Sequence, residues 1–461
     1  MALSANMVWE VRTTGSDNNG GAFKAAATGT DYSQQDTAQN SGTDLIIDGT
    51  LNTKVTATGY NFASTDVGNT IRVTAGTGFT VGTYEIVSVA ANAATLDRAI
   101  GTLGSTGGTW KEGGALLTIG AGAGLYVAGN VIFVKSGTYG ITATIYWYNG
   151  NQPSATQMPT RLIGYTTTRG DGGRPTIQIS SGSNVRCLSS SGPGVWFENF
   201  ILDGNNQTGS WGLFSNGGFG RYRNVWVKNC TTYGIGANGE ADRAIDCEVS
   251  GCGAASAVVL GQTARAIRCY AHDNTGNGFS LDRAHAIYCI ADTNTGASHG
   301  FYIDGRSTLR SCVAYGNGGD GVRIGAYEPQ FVMENMILVN NGGYGFKSAT
   351  AGTPALSHQD GNAFYNNTSG ARLNMDDTTG VNGVTGVTYT RTDITLTGDP
   401  FTNAAAGDFT LNNTAGAGAA CRSVGRPASL PGVTGTGYPD LGVFQSQPAV
   451  MMPRARSYLG V

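Results

Sequence analysis

The chain is poor in charge. Asp, Glu, Lys and Arg make up 13% of its 461 residues, against about 25% in an ordinary globular protein. The formal net charge is −3, and no run of basic residues extends beyond a few positions. Such a surface offers little electrostatic attraction to nucleic acid or to an anionic membrane, so we expect neither as a partner.

Long hydrophobic runs are also missing. No window approaches the roughly 20 apolar residues of a transmembrane helix. The opening stretch, MALSANMVWEVRTTGSDNNGG, lacks the charged and then apolar regions of a secretory signal peptide. We therefore expect a soluble protein that is made in a cytoplasm and that leaves the cell, if it does, by lysis.

Cysteine is scarce, with eight residues, whereas glycine is abundant, with 72. The glycines follow no three-residue period, which excludes collagen. A hydrophobic content of 40% argues against disorder. Glycine-rich, charge-poor chains with many turn residues are typical of all-β folds that are built from short strands.

A seven-residue pattern recurs along the second half of the chain. Its copies are NFILDGN, NVWVKNC, DCEVSGC, RCYAHDN, YCIADTN, SCVAYGN, NMILVNN and GNAFYNN, the first at residue 199 and the last at residue 361. In the first seven copies the second and fourth positions are apolar or thiol, and this alternation predicts a strand with one buried face. Repeats of roughly 22 residues, with two or three such strands and Gly/Asn turns, predict the coils of a parallel β-helix.

Four cysteines occupy the second position of successive copies, namely Cys247, Cys269, Cys289 and Cys312. We interpret them as thiols stacked in the core, because free cysteine is among the most buried residue types. A zinc site needs four converging ligands at short spacings, and a cytoplasmic origin disfavours disulfides. The sequence therefore predicts no metal site and no cofactor.

Asparagine ends most copies of the pattern. It tolerates left-handed turn geometry, and stacked amides can hydrogen bond to one another along the axis of a repetitive structure. We therefore assign a structural role to Asn205, Asn274, Asn294, Asn317, Asn341 and Asn367.

Four stretches outside the repeat resemble a known family. Residues 115–140, ALLTIGAGAGLYVAGNVIFVKSGTYG, are similar to the capping helix and first coil of pectate-lyase-like right-handed β-helix proteins. Residues 159–177 resemble the second coil, and residues 398–413 with 437–445 resemble the C-terminal closing segment.

The resemblance implies an all-β fold, a right-handed single-stranded parallel β-helix with a small N-terminal β module and a C-terminal closing segment. The expected boundaries are residues 1–112 for the module, 113–397 for the β-helix, and 398–461 for the closing segment and an extended tail.

The beginning of the chain carries a second resemblance. WEVRTTGSDNNGGAF, from residue 9, and the short glycine-punctuated strands of residues 69–101 are similar to the N-terminal part of β-helix proteins encoded by tailed bacteriophages. This resemblance implies a virion protein, such as a tail spike, a tail fibre or a capsid decoration protein. It also implies a homotrimer with other virion proteins as partners, located in the virion and extracellular after lysis.

Functional side chains are expected on the outward positions of the strands, because the interior is packed. Aromatic rings offer flat surfaces to sugars, and charged groups bind hydroxyl and carboxylate groups. The candidate residues for binding a host-surface polysaccharide are Trp226, Glu248, Tyr270, His272, Asp292, Tyr302 and Arg323. The alternative is a solvated flank or a contact with a neighbouring subunit.

Asp282 and Asp304 form the candidate catalytic pair. If they stack on adjacent coils, their carboxyl groups lie near the ~5 Å spacing of retaining glycosidases, and like charges that close raise one pKa, as a general acid requires. Aspartate is also common in turns, where it bonds the local backbone. A second, weaker arrangement is His272 beside Asp292, as a base with its orienting carboxylate.

The leading hypothesis is therefore a bacteriophage virion protein with a β-helix body that binds host-surface glycans. The alternative is a polysaccharide lyase or glycosidase on the same fold, and a third possibility is a bacterial surface adhesin, which the missing export signal disfavours. Polygalacturonase signatures are incomplete, since SHG at Ser298 is only a fragment of one. The acidic calcium cluster of pectate lyases cannot be assembled either, so we lean against an enzyme.

Overall fold

The computed structural model describes residues 3–120, 125–147, 159–253, 256–325, 331–348, 358–373, 392–425 and 439–443. Almost all of their regular secondary structure is β, with four short 3₁₀ turns. No helix among these residues is long and apolar enough to cross a membrane. The chain divides into a first unit, residues 1–178 with 188–201, and a second unit, residues 179–187 with 202–461.

The strands of the first unit begin close to the N-terminus. In chain order they are β1 (Met7–Val11), β2 (Ala22–Lys24), β3 (Asn40–Ile47), β4 (Lys54–Ala57), β5 (Thr70–Ala75), β6 (Gly82–Ala90), β7 (Ala93–Leu96), β8 (Thr106–Glu112), β9 (Val131–Lys135), β10 (Thr138–Ile141), β11 (Ile145–Trp147) and β12 (Thr160–Tyr165). Three further strands contain residues of both units, namely β13 (Thr176–Ile179), β14 (Arg186–Ser190) and β15 (Val195–Asp203).

Parallel pairing begins at the first strand of the chain. Strand β1 pairs in parallel with β9, with Val8 opposite Val131, and β9 pairs in parallel with β12, with Val131 opposite Arg161. Residues 7–11 therefore belong to the parallel sheet, whereas the sequence placed all of residues 1–112 in a separate module. Only strands β3 to β8 form such a module.

The module is a closed antiparallel barrel of six strands in the order β3-β4-β7-β6-β5-β8. Closure leaves no unpaired strand edge. Large apolar side chains fill the inside, because alternate residues of each strand point inward. The largest buried members are Trp110, Tyr84, Phe62, Ile71 and Leu45.

The expected capping helix lies in the part of residues 115–140 that precedes strand β9, namely residues 115–130. The described parts of this stretch, residues 115–120 and 125–130, form turns and no helix. Residues 121–124 lie outside the described residues. Leu116 instead forms a parallel bridge with Val11, which ties the turns to the end of strand β1.

One buried carboxyl group of the barrel, that of Glu112, has a hydrogen-bond partner for only one of its two oxygens among the described residues. Glu112 is fully buried, and Asn40 Nδ2 donates to its Oε2 at 2.7 Å. Among the described residues its Oε1 has no hydrogen-bond partner. Burial raises the pKa of Glu112 to about 8, with a smaller contribution from the charge of Asp66. The folded barrel therefore holds a proton that the unfolded chain releases near pH 4.5.

We expect Glu112→Gln to remove a pH dependence of barrel stability. The folded-state pKa is above the unfolded one, so the contribution of Glu112 is fully present below pH 4.5 and is lost as the pH rises to about 8. The loss is at most about 1.4 kcal/mol per pH unit. Urea unfolding at pH 5 and pH 8, followed by the fluorescence of the six tryptophans, of which Trp110 lies in the barrel, measures it. Equal slopes for the wild type and Glu112→Gln would contradict the prediction, and the exposed Glu240→Gln is the control.

The second unit consists of short strands in a repeating order. They are β16 (Trp211–Ser215), β17 (Arg221–Lys228), β18 (Tyr233–Ala237), β19 (Arg243–Ile245), β20 (Glu248–Ser250), β21 (Ser256–Leu260), β22 (Arg265–Ile267), β23 (Tyr270–His272), β24 (Asn277–Leu281), β25 (His285–Ile287), β26 (Ile290–Asp292), β27 (Phe301–Ile303), β28 (Ser307–Arg310), β29 (Val313–Tyr315), β30 (Val322–Ile324), β31 (Phe331–Glu334), β32 (Ile337–Val339), β33 (Tyr344–Ser348), β34 (His358–Asp360), β35 (Ala363–Tyr365), β36 (Gly370–Leu373), β37 (Ile394–Thr395), β38 (Phe401–Asn403) and β39 (Asp408–Leu411).

Strands β16 to β37 stack as parallel coils, which confirms the predicted β-helix. The first sheet contains β17 and then two strands from each coil, such as β19 with β20 and β22 with β23. The second sheet has ten strands, one from each coil, in the order β11-β14-β16-β18-β21-β24-β27-β30-β33-β36. Every coil therefore presents two outward faces.

The first sheet bends at the first position of the seven-residue pattern. That residue has a left-handed backbone in each copy of the second unit, with φ between 51° and 63° at Asn224, Asp246, Arg268, Tyr288, Ser311, Asn335 and Gly361. Arginine, tyrosine and serine rarely adopt this conformation, so their neighbours on the coils above and below must impose it. The bend separates the two strands that each coil contributes to this sheet.

The cysteines lie inside, as predicted. All eight cysteines of the chain are buried and free. Cys247 Sγ donates to the carbonyl of Tyr222 at 3.4 Å, and Cys269 Sγ donates to the carbonyl of Ala244 at 3.4 Å. Cys312 Sγ likewise donates to the carbonyl of Ala286 on the preceding coil at 3.5 Å, whereas Cys289 Sγ donates to the carbonyl of Ile287 on its own coil at 3.5 Å.

The asparagines form a continuous internal ladder, which confirms the predicted amide stacking. Nδ2 of each donates to Oδ1 of the next at 2.8–2.9 Å, along Asn274, Asn294, Asn317, Asn341 and Asn367. The residue before each ladder asparagine has the left-handed backbone conformation. Among the six asparagines predicted to be structural, only Asn205 is itself left-handed.

The C-terminal segment folds back on the outer face of the first sheet. Its strands β38 and β39 form an antiparallel pair, and a 3₁₀ turn follows at Gly418–Cys421. Its apolar side chains, including Phe401, Phe409 and Leu411, are buried in one cluster with Tyr270 and Ile290 of the sheet. The predicted extended tail lies outside the described residues.

Candidate functional site

The outer face of the second sheet brings several predicted residues together. Tyr302 pairs with Arg323, and Arg323 pairs with Lys347, so the three side chains lie in one row on strands β27, β30 and β33. The flanking residues in each strand point inward and are buried, as alternation requires. The row therefore faces outward, and each of its members is partly exposed.

His299 and Asp320 lie beside this row, just before strands β27 and β30. Nδ1 of His299 accepts the backbone N–H of Asp320 at 2.9 Å. Asp320 is buried, and its Oδ1 accepts the backbone N–H of Tyr344 at 2.8 Å, while its Oδ2 lies 3.4 Å from Arg323 Nη1. The buried carboxylate thus fixes the turn and orients Arg323.

The hydrogen bond at Nδ1 determines the tautomer of His299. Because Nδ1 accepts, the neutral ring carries its proton on Nε2. Burial lowers the pKa of His299, and the charges of Arg323 and Lys347 lower it further against the opposing effect of Asp320. His299 therefore offers a neutral Nε2–H donor, while its Nδ1 is occupied by the backbone N–H of Asp320.

Aromatic rings complete the arrangement. The rings of His299 and Tyr302 are nearly parallel, with centroids 6.3 Å apart and planes at 19°. Lys347 Nζ lies 5.4 Å from the ring centroid of Tyr344. We call His299, Tyr302, Arg323, Tyr344 and Lys347 the second-sheet face.

Asp282 and Asp304 follow strands β24 and β27 at equivalent positions. Leu281 pairs with Ile303, so the two aspartates are in register on adjacent coils, as the sequence suggested. Asp282 is exposed and lies 3.2 Å from Arg283 Nη2. Asp304 Oδ1 is buried and has no hydrogen-bond partner among the described residues. The two carboxyl groups therefore have different environments, and their catalytic role stays a prediction.

The candidate residues of the first sheet lie in a different environment. Trp226, Glu248 and Tyr270 form one row on strands β17, β20 and β23, and His272 pairs with Asp292 in the adjacent row. Tyr270, His272 and Asp292 are buried, with 5%, 7% and 2% exposure. The sequence predicts that these positions are open to a ligand, but the C-terminal segment packs on Tyr270, whose ring centroid lies 6.2 Å from that of Phe409.

Internal hydrogen bonds occupy these side chains. His272 Nε2 lies 3.1 Å from Glu248 Oε1, and its Nδ1 lies 2.8 Å from Asp273 Oδ2. These two carboxylates raise the pKa of His272 although burial opposes them. Asp292 instead accepts the hydroxyl of Tyr270 at 2.8 Å. The carboxylates that bind the His272 ring are those of Glu248 and Asp273, whereas the sequence suggests Asp292 for this role.

Trp226 is held in a similar way. Its Nε1 donates to Ser250 Oγ at 3.0 Å, and Lys228 Nζ lies 4.9 Å from the ring centroid. The ring is half-buried.

A groove of about 800 Å³ lies in the first unit. It is lined by Thr13, by residues 117–120 and by residues 138–146, with threonine hydroxyls and an exposed Tyr146. No acidic or basic side chain is among these lining residues. Over the part of the chain that the structure describes, no three His, Cys, Asp or Glu side chains converge in the way that metal ligands do.

The stacked coils define a right-handed parallel β-helix. Residues 211–369 match the family described as right handed beta helix region. The fold is of the pectate-lyase type, because the chain is similar to the structure of pectate lyase Pel9A, with a TM-score of 0.53 and 17% identity over 72% of this chain and 91% of that one. At this identity the similarity concerns the fold alone.

Two other structures are more distant. A rhamnogalacturonan lyase gives a TM-score of 0.46 with 13% identity, covering 57% of this chain and 81% of that one. A tailspike of an Acinetobacter phage gives 0.30 with 15% identity, covering 60% and 57%. Neither similarity is close enough to carry an argument. No curated protein sequence matches the chain.

Proposed function

We propose that this chain binds a glycan on the second-sheet face. The observation that carries the proposal is the register of Tyr302, Arg323 and Lys347 on successive coils. A sugar ring stacked on Tyr302 would meet cationic donors from Arg323 and Lys347 and the Nε2–H of His299. This set supplies stacking and hydrogen-bond donors, which is the chemistry of binding.

We propose further that the protein is a structural component of a bacteriophage virion, as a tail spike, tail fibre or capsid decoration protein. The support is the resemblance of residues 9–23 and 69–101 to the N-terminal part of phage β-helix proteins. In this role it forms a homotrimer, associates with other virion proteins and becomes extracellular after lysis. Co-purification of the chain with phage particles, and its mass in solution, test this role independently of glycan binding.

The glycan site makes a quantitative prediction. Tyr302→Ala is expected to weaken binding to the host-surface polysaccharide about tenfold, because it removes a stacking surface that contributes about 1–1.5 kcal/mol. Tyr302→Phe keeps the ring and is expected to retain most of the affinity. Isothermal titration with polysaccharide purified from the host measures both variants.

Arg283→Ala is the control, since Arg283 is exposed near the second sheet but lies outside the second-sheet face. Equal affinity for Tyr302→Ala, Tyr302→Phe and the wild type would rule out stacking on this residue.

The second candidate function is cleavage of the polysaccharide. It is favoured by the register of Asp282 with Asp304 and by the buried, unpartnered Oδ1 of Asp304. New reducing ends or unsaturated sugars, lost in Asp304→Asn, would establish this activity. If the wild type binds the polysaccharide but releases neither product, cleavage is ruled out and glycan binding remains as the function.

A further inference from the structure

The first sheet carries a row of basic side chains that come from separate parts of the sequence. Arg221 pairs with Arg243, Arg243 pairs with Arg265, and Arg265 pairs with His285, on strands β17, β19, β22 and β25. The next residue along each strand is buried, so the basic side chains point outward. Adjacent strands lie about 4.8 Å apart, and the three arginines therefore span about 10 Å.

Two arginines of this row, Arg243 and Arg265, differ from Arg268 and Arg310 of the same sheet. Arg268 and Arg310 each bind a carboxylate, at 2.6 Å and 3.0 Å. Arg243 and Arg265 are exposed, and within the described residues neither guanidinium takes part in a hydrogen bond or an ion pair. Arg223, two positions after Arg221 on β17, is exposed and equally without a partner there. We call Arg221, Arg223, Arg243 and Arg265 the arginine ladder.

Stacking like charges directly opposite one another is unfavourable in a sheet. The row continues with His285, whose pKa is lowered first by burial and then by the charges of Arg265, a member of the ladder, and of Arg310, which lies outside it. An anion that bridges successive guanidinium groups would relieve this repulsion, and a chain of anions would do so along the whole row.

We propose that the arginine ladder is a binding site for an acidic polysaccharide that lies along the stack of coils. Guanidinium groups bind carboxylates in pairs of parallel hydrogen bonds, and the ladder repeats such donors at a regular spacing. The adjacent outward row contains Ile245 and Ile267, which are half-buried, and these side chains can contact the apolar faces of sugar rings. Sites for single-stranded nucleic acid instead stack bases on aromatic side chains, and this row offers none.

The site is separate from the second-sheet face and does not depend on it. The two sites lie on different sheets of the coils and share no residue. One set of variants can therefore lose its ligand while the other retains it, which distinguishes failure of this proposal from failure of the proposed glycan face.

The test compares Arg243→Gln/Arg265→Gln with the wild type. The probes are alginate and hyaluronan as carboxylated polysaccharides, dextran as a neutral one, and oligo(dT) as a nucleic acid of matched charge. We expect the wild type to bind a carboxylated probe with an affinity that falls as salt rises, and the double variant to lose at least tenfold. Arg323→Gln/Lys347→Gln is expected to keep this binding.

The control for net charge is Lys54→Gln/Lys111→Gln in the barrel. This variant also removes two positive charges, but at positions distant in sequence from the arginine ladder. Because the substituted arginines are exposed, the variants are expected to fold, and circular dichroism checks this. Unchanged affinity in Arg243→Gln/Arg265→Gln, no binding of either carboxylated probe, or equal binding of dextran would overturn the proposal. Oligo(dT) binding as tight as that of the polysaccharide would also overturn it, in favour of a nucleic-acid ligand.

Discussion

Replacing Asn317 with alanine is expected to lower the free energy of unfolding of the second unit by about 3–5 kcal/mol, since several buried polar groups lose their partners and each such loss costs about 1–3 kcal/mol. Asn317 is almost fully buried and lies in the middle of the asparagine ladder. It links the coil before it to the coil after it.

The cost follows from how completely this amide is used. Oδ1 of Asn317 accepts Nδ2 of Asn294 at 2.8 Å and the backbone N–H of Asn294 at 3.3 Å. Its Nδ2 donates to Oδ1 of Asn341 at 2.9 Å and to the carbonyl of Ala291 at 3.1 Å. Alanine leaves all four of these groups without this partner, and water cannot reach them because the ladder is buried.

Urea unfolding monitored by circular dichroism measures the effect. The matched control is Asn366→Gly, because Asn366 Nδ2 donates to Asn340 Oδ1 at 2.8 Å in an exposed amide pair of the same coils. Glycine also accepts the left-handed backbone of this residue, whose φ is 48°. We expect the control to change stability by less than about 0.5 kcal/mol. Similar losses in both variants would show that burial of the ladder is not the cause.

The interior of the coils was predictable because the alternation of apolar residues that marks it lies within a few positions and recurs in each repeat. The alternation around Cys247 and Cys269 fixes which side of each strand is buried, and equal spacing then stacks equivalent residues. The same spacing predicted the asparagine ladder and the register of Asp282 with Asp304. Each of these inferences needs only the period of the chain.

The covering of the first sheet was not predictable in the same way. Tyr270 and Asp292 occupy outward positions, as expected, but Phe401 and Phe409 pack over this face from more than 100 residues further along the chain. Periodicity says which way a side chain points and nothing about what lies against it. For this reason the second-sheet residues Tyr302 and Arg323 are the more accessible part of the predicted ligand set.

The arginine ladder was missed for a related reason. The sequence contains no basic run, and its low charge suggested no electrostatic footprint. The repeated motifs RAIDC, RAIRC and HAIYC nevertheless place Arg243, Arg265 and His285 at one position of successive coils. In a β-helix, the charged residues at equivalent positions of successive coils should be compared, because residues about 22 positions apart become direct neighbours.

A buried ionic cluster around Glu10 in the first unit leads to the second large predicted loss of stability. Glu10 is fully buried, and its Oε1 accepts Arg12 Nε at 2.8 Å and the hydroxyl of Tyr165. Its Oε2 accepts Nε and Nη2 of Arg169 at 2.9 Å and 2.7 Å. The carboxylate therefore joins strand β1 to the end of β12 and the turn after it, over a separation of more than 150 residues.

Glu10→Gln is expected to destabilise the first unit by about 3–5 kcal/mol, the range found when one partner of a buried ion pair is removed. The side chains of Arg12 and Arg169 are only 12% and 16% exposed, so water cannot replace the lost charge. Thermal unfolding of the variant measures the loss. The control is Glu198→Gln, which breaks a more exposed pair with Arg161 and is expected to cost at most about 1 kcal/mol.

A double variant separates loss of charge from loss of packing. In the Glu10→Gln background, Arg169→Met removes a guanidinium group that has lost one of its partners and keeps an apolar side chain over Phe133, whose ring centroid lies 4.7 Å from the guanidinium carbon. We expect this second substitution to cost less than it does in the wild type, or to restore stability, because buried ion pairs can be replaced by apolar groups without net loss. If the two losses simply add, Glu10 and Arg169 act independently, and the carboxylate does not hold the N-terminal strand through this pair.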